Sequence, residues 1–136
     1  MYSDQTRDSI HSVCRKHGLD EMDANRMEMA IRETCQNAIR YGIHPEKESY
    51  FNLELHINET AIKAIVISKG DAIDFDNIEP FDIHQDFSTY KDGGLGIPLI
   101  KTLVDDVYYE RKANSTNKIT LIKYIKSKGK KERSNK

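Results

Sequence analysis

Two cysteines, three prolines and seven glycines are all that a chain of 136 residues contains of these types. Cys14 and Cys35 form no CxxC or zinc-ligand spacing. Both fall in helical patterns and read as reduced core thiols, which excludes a disulfide scaffold. The five histidines (His11, His17, His44, His56, His84) are scattered without metal-ligand spacing, so they offer no zinc centre. Net charge is only −1, which excludes a general affinity for nucleic acid or an anionic membrane surface. No apolar run approaches the ~20 residues of a membrane span, and the first residues lack the layout of a secretory signal. A cytoplasmic protein is the expectation. No internal repeat is visible. With 38% hydrophobic and 32% charged residues, the chain is long enough to bury one core without staples.

Apolar spacing supplies the element order. Residues 4–17 place Ile10, Val13 and Cys14 at helical intervals, and Gly18 is a stop. A second helix, capped by Asp20 or Asp23 and running to about Tyr41, carries the stripe Met27, Ala30, Ile31, Cys35, Ala38 and Ile39, with Gly42 to end it. "FNLELHI" (51–57) alternates as a half-buried strand. "AIKAIVIS" (61–68) is nearly continuous in apolar character, as a central strand would be, with a hairpin turn at 58–60. Residues 69–92 lose all periodicity, which in a compact domain points to a lid or binding loop. After it, Ile97, Ile100, Leu103, Val104 and Val107 resume a helical rhythm with Pro98 in the first turn. "VYYERK" and "KITLIKYI" then read as two strands joined around "ANSTN". The pattern predicts a two-layer α/β sandwich, with helices on one face of a largely antiparallel sheet. Residues 1–125 form its single domain, and 126–136 ("KSKGKKERSNK" from 126) form a basic, solvated tail.

Three stretches could carry chemistry. In "ETCQNAIRYG" (33–42), Glu33 and Asn37 stand one turn apart on a helix face. A carboxylate beside an amide oxygen suits a hard cation and an activated hydroxyl, although on this pair alone an exposed polar face is the favoured reading. In "SKGDAIDFD" (68–76), Gly70 permits close backbone approach, and the acids serve either a ligand or an Asx-rich turn. In "KDGGLGIPLIKTLVDDV" (91–107), three of the seven glycines precede a helix whose first N–H groups favour phosphate. The stretch is not a P-loop, because no Lys-Ser/Thr follows. It is not a dinucleotide fingerprint, because a long loop rather than a strand precedes it.

In combination these stretches resemble the GHKL ATPase superfamily, and most of all the anti-sigma-factor serine kinases of the RsbW type. "ETCQNAIRYG" is similar to the N box, "GDAIDFD" to the first glycine box and "GGLGIPLIKTLVDDV" to the second. The similarity spans about residues 20–124. The resemblance implies a Bergerat-type fold with a mixed, mostly antiparallel sheet, ATP and Mg²⁺ as ligands, and a lid at about 77–92. It implies that Glu33 is the catalytic base toward a serine hydroxyl and that Asn37 holds Mg²⁺. Ser68, Gly70 and Asp71, with Gly93, Gly94, Leu95 and Gly96, would contact the nucleotide. The implied partners are an anti-anti-sigma protein of the STAS type, as phosphoryl acceptor, and a sigma factor. A homodimer is compatible with this, and neither direct nucleic-acid binding nor a membrane is called for.

The chain departs from the family in three places. Ser68 stands where an aspartate usually accepts from the adenine amino group. Residues around Asn117 and Lys118 replace a Gly-Thr pair near the start of the last strand. The chain also begins almost at its first helix, where the family has a strand, so the expectation is either a shortened N-terminus or a longer or different architecture. These departures keep open a second reading, a non-catalytic partner-binding module with weak or no ATP binding. The ATP-binding half of a histidine kinase is disfavoured, since no phospho-acceptor histidine helix precedes the domain.

Overall fold

The computed structural model describes residues 3–40, 51–71 and 96–126. Ser3 caps the first helix by accepting from the Thr6 N–H at 3.1 Å. This helix, α1 (Asp4–Lys16), ends at Gly18, whose φ of +116° lies in the left-handed region. A Cβ at Gly18 would come within 2.7 Å of Ile125 Cγ2, so the position is closed to side chains on both counts. Of the two aspartates expected to cap the next helix, Asp20 does so, accepting from the Asp23 N–H at 2.8 Å. Helix α2 then runs Glu21–Arg40. The expected helix end at Tyr41 and Gly42 lies outside the described residues.

Strands β1 (Phe51–Ile57) and β2 (Ala61–Lys69) form an antiparallel hairpin, turned by the Asn58 side chain accepting from the Thr60 and Ala61 N–H groups. Helix α3 (Gly96–Leu103) leads into β3 (Asp106–Lys112) and β4 (Thr116–Tyr124). The sheet order is β1-β2-β4-β3, so "AIKAIVIS" is a central strand as its composition predicts. All three pairings are antiparallel, so among the described residues the sheet has no parallel member.

The helical rhythm read through Val107 overshoots. Helix α3 stops at Leu103 because the Asp105 N–H donates to Ile122 O at 2.9 Å, and Val107 already pairs with Leu121. Sheet hydrogen bonding takes over before the apolar spacing runs out.

Helix α2 is the axis of the helical layer, packed between α1 and α3 and resting on β1, β2 and β4. Met27, Ala30, Ile31 and Cys35 of its stripe are fully buried against Ile62, Ala64, Val66, Ile119 and Leu121. Buried Lys123 pairs with Asp23 of α2 at 3.4 Å and with Asp105 at 3.6 Å, which ties the start of the helix to one end of β4. No helix among the described residues is long and apolar enough to cross a membrane. The expected lid at 77–92, and the tail at 126–136 apart from Lys126, lie outside the described residues.

Both cysteines are free and buried, as core thiols should be. Burial, with the Glu28 charge second, pushes the Cys14 thiol up to about 11 from an ordinary 9.0. Burial raises Cys35 to about 12. The folded state therefore favours the protonated thiols. Their contribution to stability is complete below about pH 9 and is lost as pH rises toward these folded values. At pH 8 neither thiol should react with a thiol-specific chromogenic reagent until denaturant is added, and the urea midpoint should fall between pH 9 and pH 11.

Candidate functional site

Register arranges the inner face of the sheet in rows. Ile57 and Ile62 lie in one row with Lys123, followed by Leu55, Ala64, Leu121 and Val107, then by Leu53, Val66, Ile119 and Tyr109. The next row is Phe51, Ser68, Asn117 and Arg111. The core thus turns polar at one end, although Ser68 and Asn117 remain 7% and 4% exposed.

The α2 face above this end changes in step. Thr34, 1% exposed, and Asn37, 6% exposed, follow the apolar stripe and line a small cavity with Ala38, Val66, Ser68, Asn117 and Ile119. The cavity volume is about 10 Å³, room for about one water.

The polar groups here differ in how they are satisfied. Thr34 Oγ1 donates to Ala30 O at 2.8 Å within α2. Asn117 Oδ1 accepts from Tyr109 Oη at 2.6 Å and from Arg111 Nη1 at 3.0 Å, and its Nδ2 donates to Asp71 O at 3.0 Å. Arg111 Nη1 also donates to Gly70 O at 2.6 Å, and the Gly70 N–H donates to Ser115 O. Asn37 Nδ2 is buried and has no hydrogen-bond partner among the described residues. A buried donor left in that state costs about 1–3 kcal/mol, and the adjoining cavity has room for a water or one ligand atom to satisfy it.

The candidate residues are thereby partly brought together. Asn37 and Ser68 share the cavity, with Asn117 beside them. Gly70 and Asp71 leave β2 at the rim, their carbonyls held by Arg111 and Asn117. Glu33 is half-buried one turn before Asn37 and does not line the cavity. Gly96 opens α3, which packs on α2, while Gly93, Gly94 and Leu95 lie outside the described residues. Among the described residues no group of three His, Cys, Asp or Glu side chains could hold a metal ion. An amide completed by phosphate oxygens and waters is, however, a normal Mg²⁺ environment, and Asn37 has the chemistry for it.

Arg111 and Tyr109 were not visible as site residues in the sequence. Alternation in "VYYERK" puts them on one face with Val107, which was a usable signal. The partner of Arg111, a carbonyl 41 positions away, was not.

The histidine kinase-like ATPase domain model matches residues 2–123. Among curated proteins, the serine-protein kinase RsbW of Staphylococcus aureus (strain bovine RF122 / ET3-1) is 29% identical over 131 residues, covering 92% of this chain and 80% of that protein. RsbW of Bacillus velezensis is 26% identical over 121 residues, covering 86% and 74%. RsbW of Listeria innocua is 26% identical over 126 residues, covering 88% and 78%.

Replacing Asn37 by leucine removes the unpartnered donor and keeps an apolar group of similar volume on the cavity wall. Asn37→Leu should leave stability unchanged or raise it by about 1 kcal/mol in urea titrations. A loss of more than about 1 kcal/mol would mean that the amide supports the fold.

Proposed function

This chain belongs to the histidine kinase-like ATPase domain family, and we propose on that premise that it is an ATP-dependent protein serine kinase of the RsbW type. The observation that carries the reading is the polar end of the core, where Asn37 keeps a free buried N–H beside Ser68 and the exit of β2. An unsatisfied donor in a closed cleft of the fold suits a ligand better than it suits stability.

In this reading residues 1–125 are the kinase domain, and the lid role of 77–92 belongs to the same proposal. Ser68, Gly70 and Asp71 receive the base end of the nucleotide, and the glycines at 93–96 supply backbone N–H groups to its phosphates. Asn37 would hold Mg²⁺ through its amide oxygen, Oδ1, and the ion would supply neutralisation of the phosphate charge. Glu33, one turn away, takes the proton of the acceptor serine hydroxyl as that oxygen bonds to the γ-phosphorus and ADP leaves. The acceptor is an anti-anti-sigma protein of the STAS type, and a sigma factor is the alternative partner, as the resemblance to kinases of the RsbW type implies.

A second reading is favoured by one observation. Ser68 carries no charge, and both lone-pair directions of Asn117 Oδ1 are already taken by Tyr109 and Arg111. A module with so neutral a base pocket would bind partners and transfer phosphate poorly.

Titration calorimetry with Mg·ATP and a phosphorylation assay on a STAS-type protein separate the readings. Glu33→Ala should abolish transfer and leave ATP affinity within a few-fold, since a base acts mainly in the transition state. Asn37→Leu should weaken Mg·ATP binding itself. If the folded protein binds no ATP at millimolar nucleotide, the kinase reading falls. If it binds ATP but the wild-type protein transfers no phosphate to the acceptor, the partner-binding module is correct.

Ser68→Asp should raise ATP affinity about tenfold, by ~1.4 kcal/mol for one charge-assisted bond, and restore preference over GTP. Weaker ATP binding would mean that Ser68 does not face the base.

A further inference from the structure

The row Phe51, Ser68, Asn117, Arg111 contains a device that the fold by itself does not require. Elsewhere along the middle of β4 the inner face is filled by Ile119 and Leu121, and the register is complete without side-chain help. Asn117 is nevertheless buried and committed on both sides of its amide. Its oxygen accepts from Tyr109 at 2.6 Å and from Arg111 at 3.0 Å, while its nitrogen reaches back to Asp71 O at 3.0 Å. Arg111 closes the loop by donating to Gly70 O at 2.6 Å. Two successive carbonyls at the exit of β2, which an ordinary strand end would give to water, are thus held by side chains of β3 and β4.

We propose that Asn117, Arg111 and Tyr109 form a positioning clamp that fixes the backbone of Gly70 and Asp71 at the rim of the Asn37 cavity, and that this clamp sets affinity for the base end of the nucleotide. The inference rests on the nucleotide reading above and adds to it the residues that act through the β2 exit. None of the three touches the transferred phosphoryl group. Their effect is preorganisation: a rim already in its bound conformation spares the ordering otherwise required on binding. Arg111 is the informative member, because its side chain lies at the exposed edge of the sheet on β3, while its donors end on Gly70 and Asn117. A stability role would give it little weight there.

The test is calorimetric titration of Mg·ATP and Mg·ADP into wild-type protein and into Arg111→Ala, Tyr109→Phe and Asn117→Ala. Arg111→Ala should weaken ATP and ADP by the same factor, about tenfold, since both carry the same base. Its thermal midpoint without nucleotide should stay within about 3 °C of wild type. Tyr109→Phe should weaken both nucleotides by a smaller, equal factor. Should Asn117→Ala fail to fold, the other two variants still decide the matter. Wild-type affinities in Arg111→Ala and Tyr109→Phe would overturn the clamp, and so would a loss confined to ATP, which would locate the effect at the phosphates. Wild-type protein that binds neither nucleotide would instead overturn the nucleotide reading, and the clamp with it.

Discussion

Everything in the molecule depends on α2 lying along the inner face of β2 and β4. Met27, Ala30, Ile31 and Cys35 bury completely against Ile62, Ala64, Val66 and Leu121, and each large side chain among them contributes about 1.5–3 kcal/mol. That contact fixes the rotation of the helix about its axis. Once Ala30 and Ile31 face the sheet, Thr34 and Asn37 are carried inward too, because they stand four and seven positions after Ala30 on the same side of the helix. The chemistry of the candidate site is therefore set by packing that takes no part in it.

The two ends of β4 show how a small core accommodates polar groups in different ways. At one end Lys123 lies between Asp23 and Asp105, a buried cation matched by two carboxylates, and the result is a fixed junction between the layers. At the other end the Asn117 oxygen is saturated by neighbours and its nitrogen is engaged, whereas Asn37 Nδ2, across the cavity, has no partner among the described residues. Saturation and deficit sit side by side. The first makes the rim rigid, and the second leaves one donor whose satisfaction must come from something that enters.

Most of the architecture was legible in the sequence because it depends on local period and local caps. The Phe51, Leu53, Leu55, Ile57 alternation, the β-branched run 61–68 and the stop at Gly18 need no distant information. The end of α3 was not legible, since apolar residues continue through Val104 and Val107 while a sheet carbonyl, Ile122 O, captures the Asp105 N–H. The site was legible in outline through the spacing of Glu33 and Asn37 and through the glycines. Spacing along a helix cannot say which of two neighbours lines a cavity, and here Asn37 does while Glu33 does not. Asn117 drew notice only as a departure, because the carbonyl of Asp71 that gives its amide a role is brought to it by register rather than by sequence.

Register also explains why the departures at Ser68 and Asn117 belong together. The two residues are paired across β2 and β4 on the inner face, so a change in one alters the surroundings of the other. A carboxylate at position 68 would stand close to the Asn117 amide, whose oxygen is already turned toward Tyr109 and Arg111. With the amide held in that orientation, a second acceptor in the same row finds few donors on the described cavity wall, and the unpartnered Asn37 Nδ2 across the space is one of them. A serine avoids placing a full negative charge in a buried row that supplies so few donors. The neutral hydroxyl and the side-chain clamp are thus one compensated arrangement. A carboxylate restored at position 68 would have the unspent Asn37 donor to meet part of its charge.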